Sequence, residues 1–146
     1  MNGSVAAGPG PDAITEYITT TYPDADVVTI DGAAFFSLDP ETQWPNFATL
    51  VWSDDTDQVS DLSRPGVFRV SLGLSRATFD RVVGSIADPD FTALDRLVPH
   101  PDYARQHWVA ILSPSPATFA ETVMPLLAEA HDRLAAQRAR HAKTSD

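Results

Sequence analysis

The chain contains no cysteine, which excludes a disulfide framework, a thiolate nucleophile and any zinc site built on sulfur. Packing and hydrogen bonds alone must hold it together. Positive charge is also missing from a long stretch: residues 1–63 carry eleven acidic side chains and not one Lys or Arg. The remaining residues carry nine acids and all ten bases, so the net charge of -10 belongs almost entirely to the first part. A phosphate backbone would meet repulsion over nearly half the chain, which disfavours a nucleic-acid partner. The acidic stretch reads as a solubilising surface or as an acidic docking face for a basic partner. Long apolar runs are absent too. Asp, Ser, Pro or Arg interrupts each one before the roughly 18 to 20 residues that a membrane-spanning helix needs, so a soluble, cytoplasmic protein is expected.

What is present amounts to 146 residues, 43% hydrophobic and 21% charged, with 12 prolines. That length supports one domain with a real core. Residues 1–11 are rich in Gly, Ala and Pro and lack the positive and apolar regions of a secretory signal. They read as a flexible leader, 12–138 as a single domain, and the polar 139–146 as a fraying tail.

Asp12 is placed to cap a first helix with Ile14, Tyr17, Ile18 and Tyr22 at helical spacing, stopped by Pro23. Val27 to Ile30 and Ala33 to Leu38 flank Asp31-Gly32, the dipeptide of a type I′ hairpin turn. Phe47 to Trp52 and Val67 to Leu74 read as further strands. In the latter, Arg69 alternates onto the more polar face. Ser75 caps a helix with the stripe Phe79, Val82, Val83 and Ile86, which Asp88-Pro89 stops. His107 to Ser113 reads as a fifth strand. Ser115-Pro116 opens a last helical region with Phe119, Val123, Leu126, Leu127, Ala130 and Leu134 on one face, kinked or split at Pro125. The expected fold is α+β, a mostly antiparallel five-stranded sheet with helices packed on one side.

Chemistry concentrates in Pro99-His100-Pro101-Asp102-Tyr103, followed by Arg105, His107 and Trp108. An acid/base enzyme would use His100 or His107, with Tyr103 or Asp102 orienting it. The plainer reading is that His100 anchors a turn and His107 stands at the start of a strand. A metal site from His100, Asp102 and His107 lacks any known zinc spacing. Asp54, Asp55, Asp57 and Asp61 lack the Gly and terminal Glu of an EF-hand loop. No Gly-rich phosphate cradle or nucleophile elbow occurs. Trp44, Phe47 and Trp52 could line an apolar cavity, although large aromatics more often sit in a core. Arg64 and Arg69 either pair with acids such as Asp61 or bind an anion. Together these residues point to a non-enzymatic binding module. Its pocket is bordered by Arg64, Arg69, His100, Tyr103, His107 and Trp108 and takes a small anionic or polar ligand or a partner's side chain. No cofactor and no metal is expected.

The stretches Phe47-Ala-Thr-Leu-Val51, Ser60 to Arg69, Asp90-Phe-Thr-Ala-Leu-Asp95, Pro99 to Tyr103, His107-Trp108 and Pro125 to Ala130 resemble an uncharacterised actinobacterial family of domains of unknown function (DUF6194-like). The approach Tyr103, His107, Trp108 to a late strand is more distantly similar to MmcQ/YjbR-like proteins. That similarity implies a small CyaY-like architecture. It also brings a proposed DNA-binding role, against which the acidic first half stands.

Overall fold

The computed structural model describes residues 8–54 and 59–144, with side chains as far as 140. Helix α1, Pro11–Thr21, starts with Pro11 in its first turn, where a missing N–H costs nothing, and Gly10 rather than Asp12 occupies the cap. Asp12 stands in the first turn, where its charge complements the helix dipole. Strands β1 (Asp26–Ile30) and β2 (Ala33–Ser37) form the expected hairpin, with positive φ at both Asp31 and Gly32. Then come β3 (Asn46–Val51) and β4 (Arg69–Gly73).

Helix α2, Arg76–Val83, is capped by the Ser75 hydroxyl, which accepts from the Thr78 amide. It ends at Gly84, well before Asp88-Pro89. A carboxylate from elsewhere finishes its N-terminus: Glu129 accepts from the Thr78 hydroxyl at 2.6 Å and from the Ser75 amide at 3.4 Å. After α2 come β5 (Val98–Pro99) and β6 (Trp108–Leu112). The closing helical segment α3 comprises Pro116–Thr118, a π-helical turn Phe119–Val123, and Met124–Thr144. The π turn ends two residues before Pro125, whose ring would otherwise press on the carbonyl of the turn before it. The sequence expects a kink or a split into a short helix and a longer one there; a three-residue helix, the π turn and a 21-residue helix follow one another. The last also runs on to Thr144, past the point where fraying was expected.

Among the described residues the sheet has six strands, not five, in the order β1-β2-β3-β4-β6-β5, every neighbouring pair antiparallel. The extra strand β5 is two residues long and ends in proline, too short for an alternation pattern to reveal. Alternate positions Ala34, Phe36, Ala48, Leu50, Val70, Leu72, Val109 and Ile111 share one buried cluster with Ile14, Ile18, Val83, Phe119, Val123, Leu127 and Leu134. Helices α1, α2 and α3 therefore lie on one face. A shift of register at Phe36/Ser37 leaves Phe47 as an extra residue in β3, and its ring joins that core against Tyr22 and Phe36. The opposite face is covered over part of its area by residues 60–67, through a second cluster of Leu62, Val67 and Leu112 with Val51 beside it. No helix among the described residues is long and apolar enough to cross a membrane.

Candidate functional site

The pairing of β4 with β6 decides how the six expected site residues are distributed. Arg69 lies opposite Leu112 and Gly73 opposite Trp108. Four residues of extended strand span about 13 Å, so the guanidinium end of the sheet and the imidazole end are separate places. Of the six side chains, Arg64 alone lines the groove found among the described residues.

At the Gly73 end, polar groups are used to build the fold. His100 is 4% exposed, and its Nδ1 accepts from the amides of Asp102 at 3.0 Å and Tyr103 at 3.1 Å. A nitrogen that accepts two N–H groups presents a lone pair, not a proton, so His100 anchors the turn it stands in. Its ring lies 4.9 Å from that of Tyr103, which is 55% exposed. His107 closes the 3₁₀ turn Ala104–Gln106 in the left-handed conformation, with φ 68°, and its ring meets Phe79 of α2 edge-on at 5.7 Å. Trp108 lies against the backbone of Gly73: a Cβ there would come within 2.9 Å of the indole. Glycine at position 73 is therefore a packing requirement.

The Arg69 end is different. Arg69 is buried, 5% exposed, because residues 60–67 fold back over the more polar face on which alternation places it. Its Nη1 donates to the hydroxyl of Ser60 at 3.2 Å. Arg64 reaches the same residue, Nη2 donating to the carbonyls of Ser60 and Thr92, both at 3.0 Å. Its Nε donates to the Asp61 carbonyl at 2.9 Å and lies 3.5 Å from the Asp61 carboxylate. Nε and Nη2 thus staple residues 60–64 to the segment around Thr92. Nη1 of Arg64 donates no hydrogen bond among the described residues, and the side chain is one-third exposed. Beside it runs an open groove of about 550 Å³, bordered by Pro11 and Asp12 of α1, Trp52, Arg64, Pro65 and Phe68.

A third cluster escaped the sequence reading. His131, on α3, points both ring nitrogens at carboxylates: Nε2 is 2.8 and 3.0 Å from the two oxygens of Asp24, and Nδ1 is 3.0 Å from Asp132 Oδ1. Its ring stacks on Tyr22 at 4.4 Å and meets the edge of Phe47 at 5.6 Å. Burial of the ring opposes charging, but hydrogen bonds to Asp132 and Asp24, together with their charges, outweigh it and hold the pKa above the ordinary histidine value. An imidazolium so placed ties α3 to the turn between α1 and β1. With both nitrogens bonded to carboxylates, it acts as a clamp. One signal existed in the sequence: His131 falls four residues after Leu127, at the margin of the apolar stripe.

Of the acids weighed as calcium ligands, Asp55 and Asp57 lie outside the described residues. Among the described residues, no group of three or more His, Asp or Glu side chains is placed to hold a metal ion.

Residues 9–144 match the family of unknown function DUF6194, and the chain belongs to that family. No curated protein and no solved structure matches it.

Proposed function

We propose that this DUF6194 domain is a non-enzymatic binding module of the cytoplasm, on an MmcQ/YjbR-like plan, whose ligand site is the groove beside Arg64. The carrying observation is that Arg64 spends Nε and Nη2 on the fold and leaves Nη1 beside a groove walled by Trp52, prolines and Phe68. A guanidinium held by its other nitrogens is preorganised and loses little freedom when it binds an anion. The matching ligand is a small organic acid, its carboxylate on Nη1 and its apolar body along Trp52 and the prolines. Asp12 borders the same groove and would repel a polyanion, so a single carboxylate fits better than a phosphate. The absence of cysteine leaves the fold independent of an oxidising compartment.

The acid/base reading receives less support, because His100 holds a turn and the ring of His107 packs on Phe79. The test is a thermal-shift series with benzoate, phenylacetate and inorganic phosphate. At about ten times Kd, a monocarboxylate should raise Tm by roughly 3 to 5 °C. Arg64→Gln should abolish the shift, and, because it also removes the hydrogen bonds to Ser60, Asp61 and Thr92, it should lower the unliganded Tm by roughly 3 to 8 °C. Equal shifts in the variant, or a response to phosphate alone, would remove the proposal.

A further inference from the structure

Trp44 is 68% exposed, more than any other large apolar side chain among the described residues. Its position does not come from a slack loop. The Asp39 carboxylate accepts from the amides of Glu41 at 2.9 Å and Thr42 at 3.3 Å, and the Asp39 carbonyl accepts from the Gln43 amide at 2.7 Å. The Thr42 hydroxyl donates to the Trp44 carbonyl at 2.9 Å, and Arg138 of α3 stands 3.4 Å from the second Asp39 oxygen. Gln43 adopts a positive φ of 57° immediately before the tryptophan. Five polar contacts thus hold a turn whose most apolar side chain faces water. An indole contributes more contact area than almost any other side chain, and a fixed backbone removes most of the ordering cost of using it.

The charge around this indole selects what it can receive. Glu41, on the same turn, is exposed, and its carboxylate joins no ion pair among the described residues. Asp39 is taken up by Arg138, whereas the chain up to residue 63 supplies no Lys or Arg at all. A second copy would bring a net charge of -10 against the same charge, and nucleic acid would be repelled as strongly. We propose that the turn 39–45 is a docking surface for a basic segment of a partner protein, an Arg or Lys cation stacking on the Trp44 indole while Glu41 accepts a hydrogen bond from it. Cation–π contact is strongest with tryptophan, and a nearby carboxylate adds a charge-assisted bond. The surface is independent of the Arg64 groove, and neither stands on the other.

Fluorescence anisotropy of labelled octa-arginine and octa-lysine peptides, titrated with the full chain at low and physiological salt, tests it. Binding by the wild type should weaken about fivefold in Trp44→Ala and about twofold in Glu41→Gln. Trp44→Phe should fall between wild type and alanine, and Trp52→Ala should match wild type. Because Trp44 is exposed, its alanine variant should keep the wild-type circular dichroism spectrum and Tm. Equal affinity in Trp44→Ala would reduce the association to diffuse charge attraction and overturn the proposal. So would failure of the wild type to bind either peptide, or a Trp44-dependent dimer in sedimentation without peptide binding.

Discussion

The two ends of β4 use polar side chains in opposite ways. At the Gly73 end, His100 accepts two backbone amides and His107 packs on Phe79, while Trp108 lies on a glycine. There both imidazoles and the indole are used in building turns and packing strands, while Tyr103 stays exposed. At the Arg69 end, one guanidinium is buried on Ser60, and the other staples two loops and borders an open groove. A dense run of versatile residues is thus no guide to an available one. Availability depends on which donors and acceptors the backbone has already claimed.

The largest expected effect probes the end that is built for stability. Gly73→Ala sets a methyl group against the Trp108 indole in a fully buried strand. Overpacking there should cost about 2 to 3 kcal/mol and lower Tm by roughly 5 to 10 °C in a thermal melt. A Tm within a degree of wild type would show that the indole yields freely, and the contrast between the two ends would weaken.

Smaller, and dependent on pH, is the effect of removing the His131 clamp. Its folded-state pKa is raised, so its contribution to stability is complete below the unfolded value near 6.5 and is lost as pH rises through the folded one. Asp24 and Asp132 are largely exposed, which limits the contribution to about 1 to 2 kcal/mol. His131→Ala should therefore lose that much and, in addition, a pH-independent part from the lost stacking on Tyr22 and Phe47, so that in urea denaturation the gap to wild type is widest near pH 6 and narrows without closing towards alkaline pH. A gap that is constant with pH would mean that the ring acts only through its stacking on Tyr22 and Phe47.

Much of the fold was legible because local rules and tertiary packing agree. Asp31-Gly32 demanded the hairpin it makes, Ser75 and Ser115 cap the helices they precede, and the stripe ending at Leu134 is the buried face of α3. The misses are long-range. Nothing local to Val98-Pro99 announces a strand, since its pairing is supplied by Val109 and Ala110. Alternation put Arg69 on a polar face correctly, yet a segment before it in the chain closes that face. The candidate site was legible in its residue types and not in its geometry. Arg64 and Arg69 do converge, through Ser60, and His100, Tyr103, His107 and Trp108 gather near one turn, but β4 separates the two groups. The bond between His131 and Asp24 spans 107 positions, a separation that no spacing rule addresses.

The three tryptophans give one measurement that separates these regions. Trp52 borders the Arg64 groove, Trp108 covers Gly73 at the far end, and Trp44 projects from the 39–45 turn. In a ¹⁵N-labelled protein titrated with benzoate, the Trp52 indole N–H resonance should move progressively with ligand, while those of Trp108 and Trp44 stay in place. The Trp52 displacement should vanish in Arg64→Gln. Movement of the Trp108 indole with a still Trp52 would place the ligand at the histidine end and contradict the account.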